Sequence, residues 1–254
     1  MVLNYYNWLL VFLRFSAFLL VLPFFSATNF PVRVRVALGA LGAMLVAPTL
    51  PPFPLDHLTL FSLLGVMFRE VSIGLLLGFV SRMVFYAADL AGNFIATEIG
   101  LNMGTIFNPM TQAASPIPGT ILFFLAAIVM LSLDLHHWVL VGFQRTYSVL
   151  PMGGGGLNGE LFALVLGHTS RIFVVALQIC APVMAVSFVV TLVFTVLSRA
   201  VPQINVFILS FSFRIAAGLA VFGFTLQLTA QHVLNYLHRL PDDLLRLAQL
   251  AGLT

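Results

Sequence analysis

Six long apolar stretches, separated only by short polar ones, run through this chain of 254 residues, and that pattern denies it a water-soluble fold. Only 7% of the residues are charged, against about 25% in an ordinary soluble domain. No shift in composition marks off a water-soluble part, so residues 1–254 read as a single membrane-embedded domain. The class is all-α, because no period-2 alternation bounded by hairpin turns interrupts the helical patterns. A net charge of +3, carried by arginines without a single lysine, is too small for a nucleic-acid surface. The one cysteine, Cys180, lies in an apolar run and is expected to be buried and inert.

The order of the segments follows from their breakers. The run from Trp8, with Arg14 inside it and no basic residue before it, reads as a retained first span rather than a signal peptide. Val36 to Leu50 is a second span, stopped by Pro48, Pro51, Pro52 and Pro54. Leu58 to Gly104 would be about 70 Å long as one helix, more than twice a hydrocarbon core of about 30 Å, so it must bend, break or leave the membrane. Thr105 to Gly119, with three prolines, reads as a loop, and Gly153 to Gly156 as a flexible linker. Helical patterns cover Thr120–Tyr147, Glu160–Leu197 and Ile204–His238, and a short amphipathic helix is expected at about 241–251, with Asp242 and Asp243 in its first turn. Arg33 and Arg35 in the first loop, against Asp56 and His57 in the second, favour an external amino terminus.

Charge placed inside apolar stretches carries the information about function. Arg14, Arg69, Glu70, Arg82, Asp89, Glu98, Asp134, Arg171 and Arg214 lie there, and each is expected to face other helices, water or a partner rather than lipid. At 100° per residue, Gly78, Arg82, Tyr86, Asp89, Asn93, Thr97, Gly100 and Gly104 share one arc of a helix. Such a seam can pack against another helix, helped by the close-approach pattern Gly74-x-x-x-Gly78, or it can wall a conduit.

Constellations for catalysis are missing: the sequence has no phosphate-cradling loop, zinc-protease motif, nucleophile elbow or paired cysteines, so neither enzymatic activity nor a cofactor is expected. Asp134 with His136 and His137 is the best remaining candidate for proton or metal chemistry. Neighbouring histidines diverge by about 100° on a helix, however, and the group reads rather as structural, beside the interfacial anchor Trp138.

Several stretches resemble the FliR family of flagellar biosynthetic proteins and its injectisome relatives. These are Leu75 to Phe79, Gly100 to Pro109, the His136–His137 pair and, most specifically, Arg199 to Phe207, with Pro202, Gln203, Asn205 and Phe207. Asn108 stands where the family often has Asp, and Leu135 where a Gly commonly precedes the histidines. The resemblance implies a non-enzymatic core subunit of the type III protein-export gate in the bacterial inner (cytoplasmic) membrane, at the flagellar basal body. It would coil with FliP-like and FliQ-like subunits into a helical hetero-oligomer, contact FlhB-like and FlhA-like proteins, and pass unfolded secreted proteins as substrate.

It further implies that the loop after Met103–Gly104, with Ile106, Phe107, Asn108, Pro109, Met110 and Ile117, plugs the pore. The residues themselves suit that task, since the loop is uncharged and apolar groups can close a constriction by dewetting. Arg199 to Phe207 is expected to form a helix-to-helix turn around Pro202. An injectisome subunit is the near alternative. A transporter or channel, with a helix broken at Pro182, is a more distant one, and an intramembrane enzyme the last.

Overall fold

A computed structural model describes residues 5–23, 25–26, 30–54, 59–102, 117–156, 158–201, 203 and 205–253, and of Phe207 the backbone only. Among the described residues the chain is helical and no strand occurs. The helices are α1 (Tyr5–Val21), α2 (Val32–Val46, prolonged by a 3₁₀ turn at Ala47–Thr49), α3 (Leu60–Ile99), α4 (Ile117–Ser132), α5 (Leu135–Val149), α6 (Gly159–Ala200) and α7 (Val206–Ala251). The long segment expected from Leu58 is one unbroken helix of 40 residues, α3.

The chain divides into two compact units, which composition does not distinguish. One comprises Met1–Met83, Asp134–Thr169 and His238–Thr254, the other Val84–Leu133 and Ser170–Leu237. In the first unit small residues let helices approach closely. A side chain at Gly74 would strike the backbone carbonyl of Arg14, and one at Gly78 would lie 2.8 Å from that of Phe18, so the Gly-x-x-x-Gly pattern seats α1 on α3. Phe143 of α5 packs against Phe15 and Phe18 with ring centroids 5.1 and 4.7 Å apart.

The second unit is built on Ala88, Ala91, Ile95 and Ile99 of α3, Leu122 of α4, Ala176, Ile179, Cys180 and Val183 of α6, and Phe222 of α7. Cys180 is buried there as a free thiol. Gly92 meets the backbone of Gly119, which holds α3 and α4 together at a point where no side chain fits.

Four local expectations are corrected. Thr120–Tyr147 is two helices, because Asp134 takes a left-handed φ of 54° between them, a conformation that Asp tolerates better than most residues. The helix before that break starts at Ile117 rather than at Thr120. Pro118 suits a first turn, where its missing N–H has no partner to lose. No separate helix begins near Pro241, since α7 continues through it to Ala251. Leu237, Leu240, Leu244, Leu247 and Ala251 form one buried stripe on both sides of the proline, and burying each leucine stabilises by about 1.5–3 kcal/mol, enough together to offset a proline cost of about 3 kcal/mol. Pro241 itself lies over Gly142, where the lack of a side chain leaves room for the ring. Finally, α6 runs through Pro182 as one helix, so the broken helix that a transporter would use is not there.

Candidate functional site

Within the first unit, the apolar stretches deliver two opposite charges to each other. Arg14 of α1 donates from Nε to Glu70 Oε2 at 2.6 Å and from Nη2 to Oε1 at 3.0 Å, and both side chains are fully buried. The remaining donors of the guanidinium reach the carbonyls of Leu150 (3.1 Å) and Pro151 (3.5 Å), and its carbon stands 4.2 Å from the centre of the Tyr147 ring. Glu70 Oε1 also accepts the backbone N–H of Gly153 at 2.7 Å. A bidentate pair whose outer groups are satisfied in this way is the arrangement in which buried charge is tolerated. Sequence reading identified both charges but not their pairing, for which a separation of 56 residues leaves no local signal.

The same network overturns the reading of Gly153 to Gly156 as a flexible linker. Gly153 and Gly155 have φ of 72° and 80°, which glycine adopts without steric cost, and Gly156 donates to the Ala251 carbonyl at 3.0 Å. Asn158 completes the turn: its Oδ1 accepts Leu161 N–H at 2.7 Å, and its Nδ2 donates to Leu250 O at 2.8 Å. The tract is a shaped turn that presents an N–H to Glu70.

The seam residues of α3 meet different surroundings along its length. Gly78 is buried against α1, and Arg82 donates to Ser26 Oγ at 2.6 Å and to the Val21 carbonyl at 3.4 Å. Tyr86 is half-buried, whereas Asp89 is exposed on this chain. Asn93 and Thr97 bond back to the carbonyls of Asp89 and Asn93, both at 2.9 Å. Gly100 lies beyond the helix end with φ 85°, where a side chain would strike Phe211. Gly104 is outside the described residues.

Of the other charges in apolar stretches, Arg214 donates to Thr191 Oγ1 at 2.9 Å, Glu98 is half-buried, and Arg69, Asp134 and Arg171 are exposed on this chain. Asp134, His136 and His137 come together in unexpected fashion. The two imidazoles do not diverge but lie with ring centroids 4.0 Å apart, and His137 Nδ1 is 3.5 Å from Asp134 Oδ1.

Of the expected plug, Ile106, Phe107, Asn108, Pro109 and Met110 are outside the described residues, as are Asp56 and His57 of the second loop. Ile117 is not loop but the exposed first residue of α4. Around the family motif, α6 ends at Ala200 just after the exposed Arg199, and α7 begins at Val206. Asn205 Oδ1 accepts the N–H of Ile208 at 3.3 Å, and Gln203 is exposed. Pro202 and the side chain of Phe207 are outside the described residues.

Much apolar surface is left uncovered. Phe61 of α3 and Phe224 of α7 are 86% and 85% exposed, and in the most apolar windows of α3 and α6 only 33% of residues are buried. Among the described residues four helices are long and apolar enough to cross a membrane, or five spans if α4 and α5 together make one.

The family described as bacterial export proteins, family 1, matches residues 5–240. A flagellar biosynthetic protein FliR from Bacillus subtilis (strain 168) is 32% identical over 215 residues, 82% of this chain and 81% of the relative. Proteins of the same description from Escherichia coli (strain K12) and Caulobacter vibrioides are each 27% identical, over 96% and 85% of this chain and 93% and 87% of their own lengths.

Proposed function

This chain belongs to the bacterial export proteins, family 1, and from that premise we propose that it helps to form and seal the conduit through which unfolded proteins leave the cell in flagellar assembly. It is an all-α membrane protein of the flagellar export apparatus. The observation that carries the finer reading is a mismatch of length and cover. Helices α3, α6 and α7 have 40, 42 and 46 residues. At 1.5 Å per residue each is about 60 Å or longer, twice the hydrocarbon core of about 30 Å. Apolar faces that lipid cannot cover along their whole length need other protein surfaces. FliP-like and FliQ-like subunits are the partners that meet this need, with FlhB-like and FlhA-like proteins at the periphery, in the inner membrane.

Sealing falls to residues 103–116 between α3 and α4. The segment is uncharged and carries Ile106, Phe107, Met110 and two prolines, and the helices on either side of it are held backbone to backbone at Gly92 and Gly119. Purification in mild detergent tests the assembly: the chain should emerge in a large hetero-oligomer. Recovery as a stable monomer that associates with none of the other export subunits would refute it.

A further inference from the structure

The carboxylate and the two imidazoles at the start of α5 have no part in the export reading above. Asp134 and His137 are exposed, His136 is partly so, and one ligand atom from each lies within 4.8 Å of the others. Among the described residues no other three His, Cys, Asp or Glu side chains converge in this way.

The convergence is local in the chain. Asp134, with φ 54°, stands at the N-terminal boundary of α5, three residues before His137, a spacing that puts two side chains on one side of a helical turn, and its carboxylate lies 3.5 Å from His137 Nδ1. That separation is close to the about 3.3 Å that a tetrahedral ion with bonds of 2.0–2.1 Å imposes on neighbouring donors. The two ring centroids are 4.0 Å apart and the ring planes meet at 38°. Nδ1 of His136 is shielded from solvent and has no hydrogen-bond partner, a deficit that an ion bound at that nitrogen would relieve.

We propose that Asp134, His136 and His137 bind one divalent transition ion of the kind that favours imidazole, such as Zn²⁺, and thereby pin the first turn of α5. Two histidines and one carboxylate suit such ions and not Mg²⁺ or Ca²⁺, which take oxygen donors. Three donors from within four residues leave at least one coordination position to water.

The test uses the full-length chain, purified in detergent without a polyhistidine tag, stripped with a chelator and titrated with Zn²⁺. The expected result is one ion per chain, with binding weakened at least about tenfold in Asp134→Asn and in His137→Ala. Loading with Cu²⁺ instead should give an electron paramagnetic resonance spectrum split by two imidazole nitrogens, and by one after His137→Ala. The two varied side chains are exposed, and unchanged thermal unfolding of the stripped variants will show that they fold. If the parent chain takes up no Zn²⁺, or if the triple variant Asp134→Asn, His136→Gln, His137→Ala binds it as tightly, the site does not exist.

Discussion

Arg14 and Glu70, 56 residues apart in sequence, form a fully buried two-point ion pair that ties α1 to α3 and holds the turn at Leu150–Gly153 to both. The pair turns two charges that each oppose membrane insertion into a neutral, hydrogen-bonded group. Removing one partner leaves the other charge buried and uncompensated. Arg14→Leu or Glu70→Leu should each therefore destabilise the chain by about 3–5 kcal/mol, and the double variant by clearly less than the sum. Chemical denaturation of the purified chain checks this, and additive losses would show that the two side chains act separately.

Two glycines of α3 should respond in opposite senses. A side chain at Gly92 meets the backbone of Gly119, whereas one at Gly65 meets nothing within 4 Å. Gly92→Val should cost at least about 1–3 kcal/mol by forcing the helices apart, and Gly65→Ala should stabilise by about 0.5–1 kcal/mol through helix propensity. Thermal unfolding of both variants of the isolated chain decides it.

Arg82 and Asp89 should separate folding from assembly. Arg82 is bonded to Ser26 and Val21 of its own unit, so Arg82→Leu should lower the stability of the chain alone. Asp89 is exposed, so Asp89→Leu should leave that stability within about 0.5 kcal/mol while reducing incorporation into the hetero-oligomer and flagellar export. Full export by the Asp89 variant would show that its carboxylate meets no partner.

Asn158 should show which half of its amide matters. Asn158→Ala loses the cap on α6 together with the bond to Leu250 and should cost about 1–2 kcal/mol, whereas Asn158→Asp keeps the accepting oxygen and should cost less. Equal losses would mean that the bond to Leu250 carries the effect.

Sealing can be measured electrically. Deleting Phe107 to Ser115 from the assembled complex should leave assembly intact and raise the conductance of the membrane to small ions. A deletion complex as tight as the parent would sink the plug. Reduced assembly with unchanged conductance would instead make the segment a packing element.

Helical class and membrane residence were legible in the sequence because both depend on local properties, namely periodicity and the scarcity of charge over windows longer than a bilayer. The close approach of α1 and α3 was half legible: Gly74-x-x-x-Gly78 announces a contact but not its partner. Local signals misled where distant burial outweighed them. Pro241 followed by two aspartates is a sound helix start, yet a buried leucine stripe carries α7 straight through it. Four consecutive glycines are as compatible with a floppy linker as with left-handed backbone, and only the carboxylate of Glu70 and the carbonyl of Ala251 select the second.

The sequence by itself determined that nine charges stand in apolar surroundings and must be accommodated. Tertiary structure alone decided that Arg14 takes Glu70 and that Arg82 takes Ser26. The cost of burying a charge is a property of the residue and its neighbours along the chain. Its remedy depends on which distant atoms the fold brings within about 3 Å, and no local pattern encodes that.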